Sequence, residues 1–278
     1  MFLNVVLRSR KLKLMSSLAL TNYQKVKCFN IVFSSPRSDQ QNYDIFKTNP
    51  TLVKLRWDLI HEESTELFDA LDTQDYVEIL DAVGDILYVV LGAFDAFGYN
   101  FDNHPKTSDG DSLVVKYGLN VISELKTDIN TVDRIKLVFE DKKYDSLLEK
   151  IRSDYQIQLN MLKDCINSEN YDSVINQLVV LNDYLYLWAH LFGFNLDQVF
   201  NLIHESNMSK LAETEDIAKE TVKWYMDRPE KGYDSPTYRL SEIKDNGADR
   251  WIIYNNNTKK ALKSIKYNPV DLHTFLKH

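Results

Sequence analysis

Only two cysteines, Cys28 and Cys165, eight glycines and six prolines occur among the 278 residues. Two cysteines cannot build a disulfide framework, which points to a reducing, cytoplasmic setting. So few turn-forming residues argue against an all-β fold and for helices. No apolar run reaches the roughly 18 residues that a membrane span requires. Basic charge is also short: the net charge of −8 argues against broad binding to nucleic acid or to an anionic membrane. No Glu-x-x-His pair exists anywhere, which disfavours a di-iron bundle. No glycine-rich phosphate loop is present either. What remains is a chain that is 44% hydrophobic and 12% aromatic, enough to fill a sizeable core in one large or two small domains.

Acids are absent from residues 1–38 and then concentrate in residues 52–102. Two helical patterns lie there, separated by a polar break at residues 72–75. On the first, Glu63 and Glu66 fall within about 60° of one another, beside Leu52, Leu59, Leu67 and Ala70. Asp58, His61, Thr65 and Asp69 occupy the polar face, so the two glutamates are expected on the core side. On the second, Glu78, Asp81 and Asp85 follow at i, i+3 and i+7 among Ala82, Val89, Gly92 and Ala96. The rest of that helix is apolar nearly all round, as in a buried helix. Glu62 completes a set of six carboxylates. Converging acids on core-facing positions are costly unless compensated, because desolvation and mutual repulsion both disfavour the ionised form. An all-oxygen set without histidine or cysteine suits Mg²⁺, with Mn²⁺ as a close substitute.

The chain divides by pattern into residues 1–38, 39–102, 103–197, 198–230 and 231–278. The first segment carries Arg8, Arg10, Lys11 and Lys13 and fits an organelle transit peptide, or an extension ahead of a start at Met15. A first helix is expected at residues 23–33, then a loop to residue 49, with Pro50 opening the first acidic helix. Further helices are expected at about 113–126, 132–142, 145–166 and 171–192. Shifting the chain by 95 places sets residues 146–197 on 51–102 without a gap. Leu67 meets Leu162, Tyr76 meets Tyr171, and the ending FGYNFD meets FGFNLD. Glu62, Glu63, Glu66, Glu78, Asp81 and Asp85 meet Ile157, Gln158, Met161, Ser173, Asn176 and Val180. This reads as an internal duplication in which one helix pair kept the packing and lost the acids. Helices at 196–211 and 214–226 follow. Residues 233–239 read as a loop, and residues 250–254 and 261–267 as the strands of a small β-hairpin.

The order EExxE (Glu62, Glu63, Glu66), ExxD (Glu78, Asp81), then SNMSK (residues 206–210) and ALKSIKYNP (residues 261–269) resembles the all-α nucleoside triphosphate pyrophosphohydrolases. That superfamily includes MazG, the dimeric dUTPases and phosphoribosyl-ATP pyrophosphohydrolase; its viral and phage members share the ending. The resembling segments cover about half the chain. The resemblance implies an all-α fold with a four-helix-bundle core, here with inserted helices and the C-terminal hairpin. It implies hydrolysis of a nucleoside triphosphate to monophosphate and pyrophosphate, with Mg²⁺ held by Glu63, Glu66, Glu78 and Asp81. Asp85 is an outer ligand or a helix–helix hydrogen-bonding group. Glu62 is a further ligand or, with Glu63, part of the catalytic pair, taking the proton of the attacking water. Lys210 and Asn207, then Arg239, Lys260 and Lys263, are the candidate substrate contacts, and Trp57, Phe33 and Tyr88 the candidates for base stacking. Compact relatives place SNMSK soon after the second acidic helix and dimerise. Here about one bundle intervenes, which leaves a homodimer or a pseudo-dimeric monomer. The extra helices and the hairpin set the chain apart from the short phosphoribosyl-ATP enzymes. A non-catalytic nucleotide-binding or interaction protein is the alternative from another class.

Overall fold

A computed structural model describes residues 20–105, 113, 116–117, 130–228, 234–241, 244, 247–258 and 260–276. Residues 1–19 and most of the helix expected at 113–126 lie outside the described residues. Two units emerge, one from residues 37–203 and 271–278, the other from residues 1–36 and 204–270. No helix among the described residues is long and apolar enough to cross a membrane.

In the first unit the expected loop to residue 49 contains one helical turn, α2 (Ile45–Thr48), because Ile45 and Phe46 are buried. Numbering counts α1 as the Asn22–Val32 helix of the other unit. Helix α3 (Pro50–Thr73) starts where Asn49 accepts a hydrogen bond from the Leu52 amide at 3.2 Å and Pro50 presets the first turn. Helix α4 (Tyr76–Phe97) starts at Asp75, whose carboxylate caps the amides of Val77 and Glu78, and stops at Gly98 in the left-handed region. Helices α5 (Thr131–Glu140), α6 (Lys142–Asn167) and α7 (Tyr171–Phe192) follow, then α8 (Leu196–Met208), in which the boundary between the units falls.

Helices α3, α4, α6 and α7 form a four-helix core, α3 against α4, α6 against α7, and α4 against α7. Helix α4 is buried along sixteen of its positions because its apolar residues run round the whole circumference. Gly84 lets α8 approach: a Cβ there would stand 2.3 Å from Ile203 Cδ1, and Tyr88 stacks on Phe200 at 5.4 Å. Polar pins join the pairs. Ser64 Oγ and Tyr155 Oη lie 3.1 Å apart in the core between α3 and α6, and Tyr171 donates to the Phe97 carbonyl at 3.0 Å. Arg152 makes a two-pronged bridge to Asp72 at 2.6 and 2.9 Å.

The two helix pairs end alike at the offset of 95. Helices α4 and α7 both have 22 residues, begin at a tyrosine after an Asp or Asn cap, and stop at Gly98 (φ 73°) and Gly193 (φ 75°). The residues before those caps, Gln74 and Glu169, share a left-handed φ of 55° and 52°.

The second unit contains α1, capped by Thr21 and Gln24 in a reciprocal box, the end of α8, and α9 (Glu215–Met226). It also holds a two-stranded antiparallel sheet. The hairpin is present, but its first strand is β1 (Pro236–Leu240), in the segment read as a loop, paired with β2 (Trp251–Asn255). Residues 261–267, expected as a strand, contribute one isolated bridge, Tyr254 with Ala261. Strand alternation explains the core: Ile252 packs with Val32, Phe33 and Leu211, and Ile253 with Ala218, Val222 and Leu262.

The two equivalent glycines are expected to differ in tolerance. A Cβ on Gly98 meets the Gln40 carbonyl oxygen at 1.9 Å, a backbone atom; on Gly193 it meets Arg134 Cδ at 2.2 Å, a side chain that can swing away. Gly98→Ala should therefore lower stability by about 2 kcal/mol or more and Gly193→Ala by less, as read from urea midpoints. Equal losses would contradict this packing.

Candidate functional site

The six acids stand where α3 and α4 face each other, but not all are on the core side. Glu63, Asp81 and Asp85 are half-buried, whereas Glu62, Glu66 and Glu78 are exposed. The sequence-based expectation of core-facing glutamates is corrected for Glu66: its helical position neighbours Leu67 and Ala70, yet a long glutamate stem carries the carboxylate to the edge of the helix contact. The acidic face is thus a seam with three carboxylates inside and three at its mouth.

The electrostatics tie the six together. Burial, then Asp85, Glu66, Glu62 and Asp81, push the Glu63 carboxyl up to about 8. Burial, then Glu78 and Glu66, push Asp81 up to about 6. Glu66 is raised by burial, Glu62, Glu78 and Asp69, partly offset by a hydrogen bond with Glu63. Glu63, Glu66 and Asp81 each feel a carboxylate of the opposite helix, which requires the two acidic faces to approach one another. Asp81 Oδ1 is buried and has no hydrogen-bond partner. Among the described residues, no three acid, histidine or cysteine side chains close into a metal-coordinating set. The donor chemistry nonetheless fits a hard divalent cation: oxygen donors only, an orphaned buried carboxylate oxygen, and repulsion that a dication would relieve.

The candidate substrate contacts belong to the second unit. Lys210 Nζ donates to Asn207 Oδ1 at 2.5 Å, so these two engage one another. The flanking serines of SNMSK hold the chain's last segment. Ser206 donates to Tyr267 Oη at 3.0 Å, and the Asn268 amide donates to Ser209 Oγ at 2.9 Å. The Ser264 amide donates to the Lys210 carbonyl at 3.2 Å. Arg239 lies over the Tyr254 ring at 5.7 Å and donates to the Phe33 carbonyl at 3.4 Å. Lys263 lies over the Tyr267 ring at 4.4 Å, and both it and Lys260 are exposed. Of the aromatic candidates, Phe33 and Tyr88 are core residues, while Trp57 is half-buried.

One feature escaped sequence reasoning. Arg56 and Asp95 are both buried, and burial lowers the Arg56 pKa while Asp95 opposes that shift. The signal was a lone aspartate in the apolar run LGAFDAFG, two residues from the end of α4.

Residues 26–105, which include all six acids, match the phosphoribosyl-ATP pyrophosphohydrolase family. An uncharacterized protein of Acanthamoeba polyphaga mimivirus is 36% identical over 255 residues, covering 88% of this chain and 91% of that relative. No solved structure matches the chain. The similarity to the mimivirus protein runs far beyond the acidic helices, into the added helices and the second unit. The chain belongs to the family of that mimivirus protein, and its all-α core is of the MazG and phosphoribosyl-ATP pyrophosphohydrolase kind.

Proposed function

We propose that this chain is a Mg²⁺-dependent pyrophosphohydrolase that cleaves a nucleoside triphosphate, or a triphosphate built on one, between the α and β phosphates. The observation that carries this reading is the mutual repulsion of carboxylates on α3 and α4, half-buried Glu63 with Asp81 and Asp85 and half-buried Asp81 with Glu66 and Glu78, together with the unpartnered Asp81 Oδ1. Glu63, Glu66, Glu78 and Asp81 are the residues that would hold the cation, with Asp85 behind them. When bound, the cation supplies Lewis-acid polarisation of phosphoryl oxygens and offsets the triphosphate charge. The carboxylates by themselves repel the substrate, so binding should depend on the cation. Glu62, which is exposed, is the base in this reading and accepts the proton of a water whose oxygen bonds to the α-phosphorus. The bond from that phosphorus to the bridging oxygen breaks, and pyrophosphate leaves.

The choice of substrate has two branches. General turnover of NTPs and dNTPs, as in nucleotide-pool house-cleaning, is the broader one. The family match over residues 26–105 favours phosphoribosyl-ATP, which carries the same triphosphate. Product analysis over a panel containing both classes separates them. Monophosphate and pyrophosphate should appear with Mg²⁺ and vanish with EDTA. Glu63→Gln and Asp81→Asn should each lower kcat about 100-fold or more. No turnover of any substrate by a folded protein that still binds nucleotide would replace the enzyme reading with a nucleotide-binding one.

The raised pKa values give a second test. Between the ordinary carboxylate pKa and about 8, the folded state keeps a proton on Glu63 that the unfolded chain has lost, and Asp81 behaves likewise up to about 6. The native state then binds more protons, so stability falls as pH rises through that window. Cation-free protein should show a melting temperature that drops from pH 5 to pH 8. Excess Mg²⁺ should flatten that slope, because a dication replaces the protons. A slope unchanged by Mg²⁺ would count against cation binding at these acids.

A further inference from the structure

On a different side of α3 from the acids, the first unit has a second concave site. It is a cleft of about 350 Å³, within the range of small-molecule sites. Phe46 of α2, Val53 and Trp57 of α3 and Ile166 of α6 form its apolar walls. Trp57 precedes Glu63 by six positions, which sets the two about 120° apart around the helix axis. Trp57 instead shares the face of Ser64, seven positions on, which bonds to Tyr155 of α6. The acids lie on the α4 side of α3 and the cleft on its α6 side.

The polar groups at the cleft are few: two lysines, one amide and one carboxylate. Lys54, Lys163 and Asn167 line it, with the Glu169 carboxylate at the α6–α7 turn. Lys54 is engaged by Asp58 in an ion pair. Lys163 is exposed, and its ammonium lies 5.7 Å from the centre of the Trp57 ring. A half-buried indole beside a movable cation offers a stacking surface and a counter-charge together. We propose that this cleft binds a planar aromatic anion of nucleoside-monophosphate size. The ring stacks on Trp57, and the negative group meets Lys163, away from Glu169. The Lys163 side chain swings off the indole face as the ring arrives. The α6 side of the cleft, residues 163–169, lies beyond the segment matched to the pyrophosphohydrolase family, and the cleft shares no residue with the six acids, so the site does not rest on the activity proposed above.

Isothermal titration calorimetry of the full chain in EDTA, with AMP as probe and adenosine and inorganic phosphate as comparisons, tests this. AMP should bind with one site per chain, and adenosine about tenfold more weakly, because the anion contact is missing. Lys163→Glu and Trp57→Ala should each weaken AMP about tenfold or more, whereas Glu63→Gln should leave it unchanged. Lys163 is exposed, so the charge reversal preserves the fold even if Trp57→Ala does not, and Trp57→Leu gives a milder loss of stacking. Absence of AMP binding would overturn the proposal. So would binding abolished by Glu63→Gln and indifferent to Lys163→Glu, or adenosine binding as tightly as AMP. These measurements are made without divalent cation, so their outcome is separate from that of the turnover assay.

Discussion

The repulsion among six carboxylates on one helix seam is the constraint on which the rest of the arrangement depends. Helix α4 is enclosed by α3, by α7 and by the opening turns of α8, and apart from the buried Asp95 its acids lie on the one strip of its surface that reaches outward. Glu78, Asp81 and Asp85 fall on that strip, and α3 brings Glu62, Glu63 and Glu66 against it. Burial and mutual charge then push Glu63 and Asp81 far from ordinary carboxylate behaviour. Such an arrangement is unfavourable in isolation and becomes favourable when a dication is shared among the acids.

The second helix pair shows the same frame without that chemistry. Helices α4 and α7 share length, cap type and left-handed glycine ends at an offset of 95 residues. The equivalents of Glu62 and Glu66 are Ile157 and Met161, which are 49% and 46% exposed. Burial therefore does not account for the absence of charge at these positions. The polar pins differ too: Tyr155 and Tyr171 of the second pair reach across to Ser64 and Phe97 of the first, which bonds the two pairs into one core.

In the second unit, two sequence segments separated by about fifty residues are joined. Ser206 and Ser209 of SNMSK bond to Tyr267 and Asn268, and the Lys210 carbonyl accepts from Ser264. The serines thus have a structural task, while Asn207 and Lys210 of the same motif are bonded to one another.

Most of the helices among the described residues, and their matching ends at an offset of 95, were legible from residues alone, because hydrophobic period, capping residues and the Gly98 and Gly193 stops are local signals. The hairpin was legible as an element, but its partner strand was not. Residues 236–240 become a strand only by pairing with Trp251–Asn255, a non-local choice governed by which faces of Ile252 and Ile253 must be buried. The depth of each acid was likewise undecided by periodicity, since a glutamate one position from a buried leucine can carry its charge to solvent on a flexible stem. The buried Arg56 and Asp95, the division of the chain into two units within α8, and the Trp57 cleft all arise from residues distant in sequence. The chain by itself determined which residues form helices and which carry charge; only tertiary packing decided which of those charges meet, because desolvation and neighbouring fields exist only once the helices are assembled.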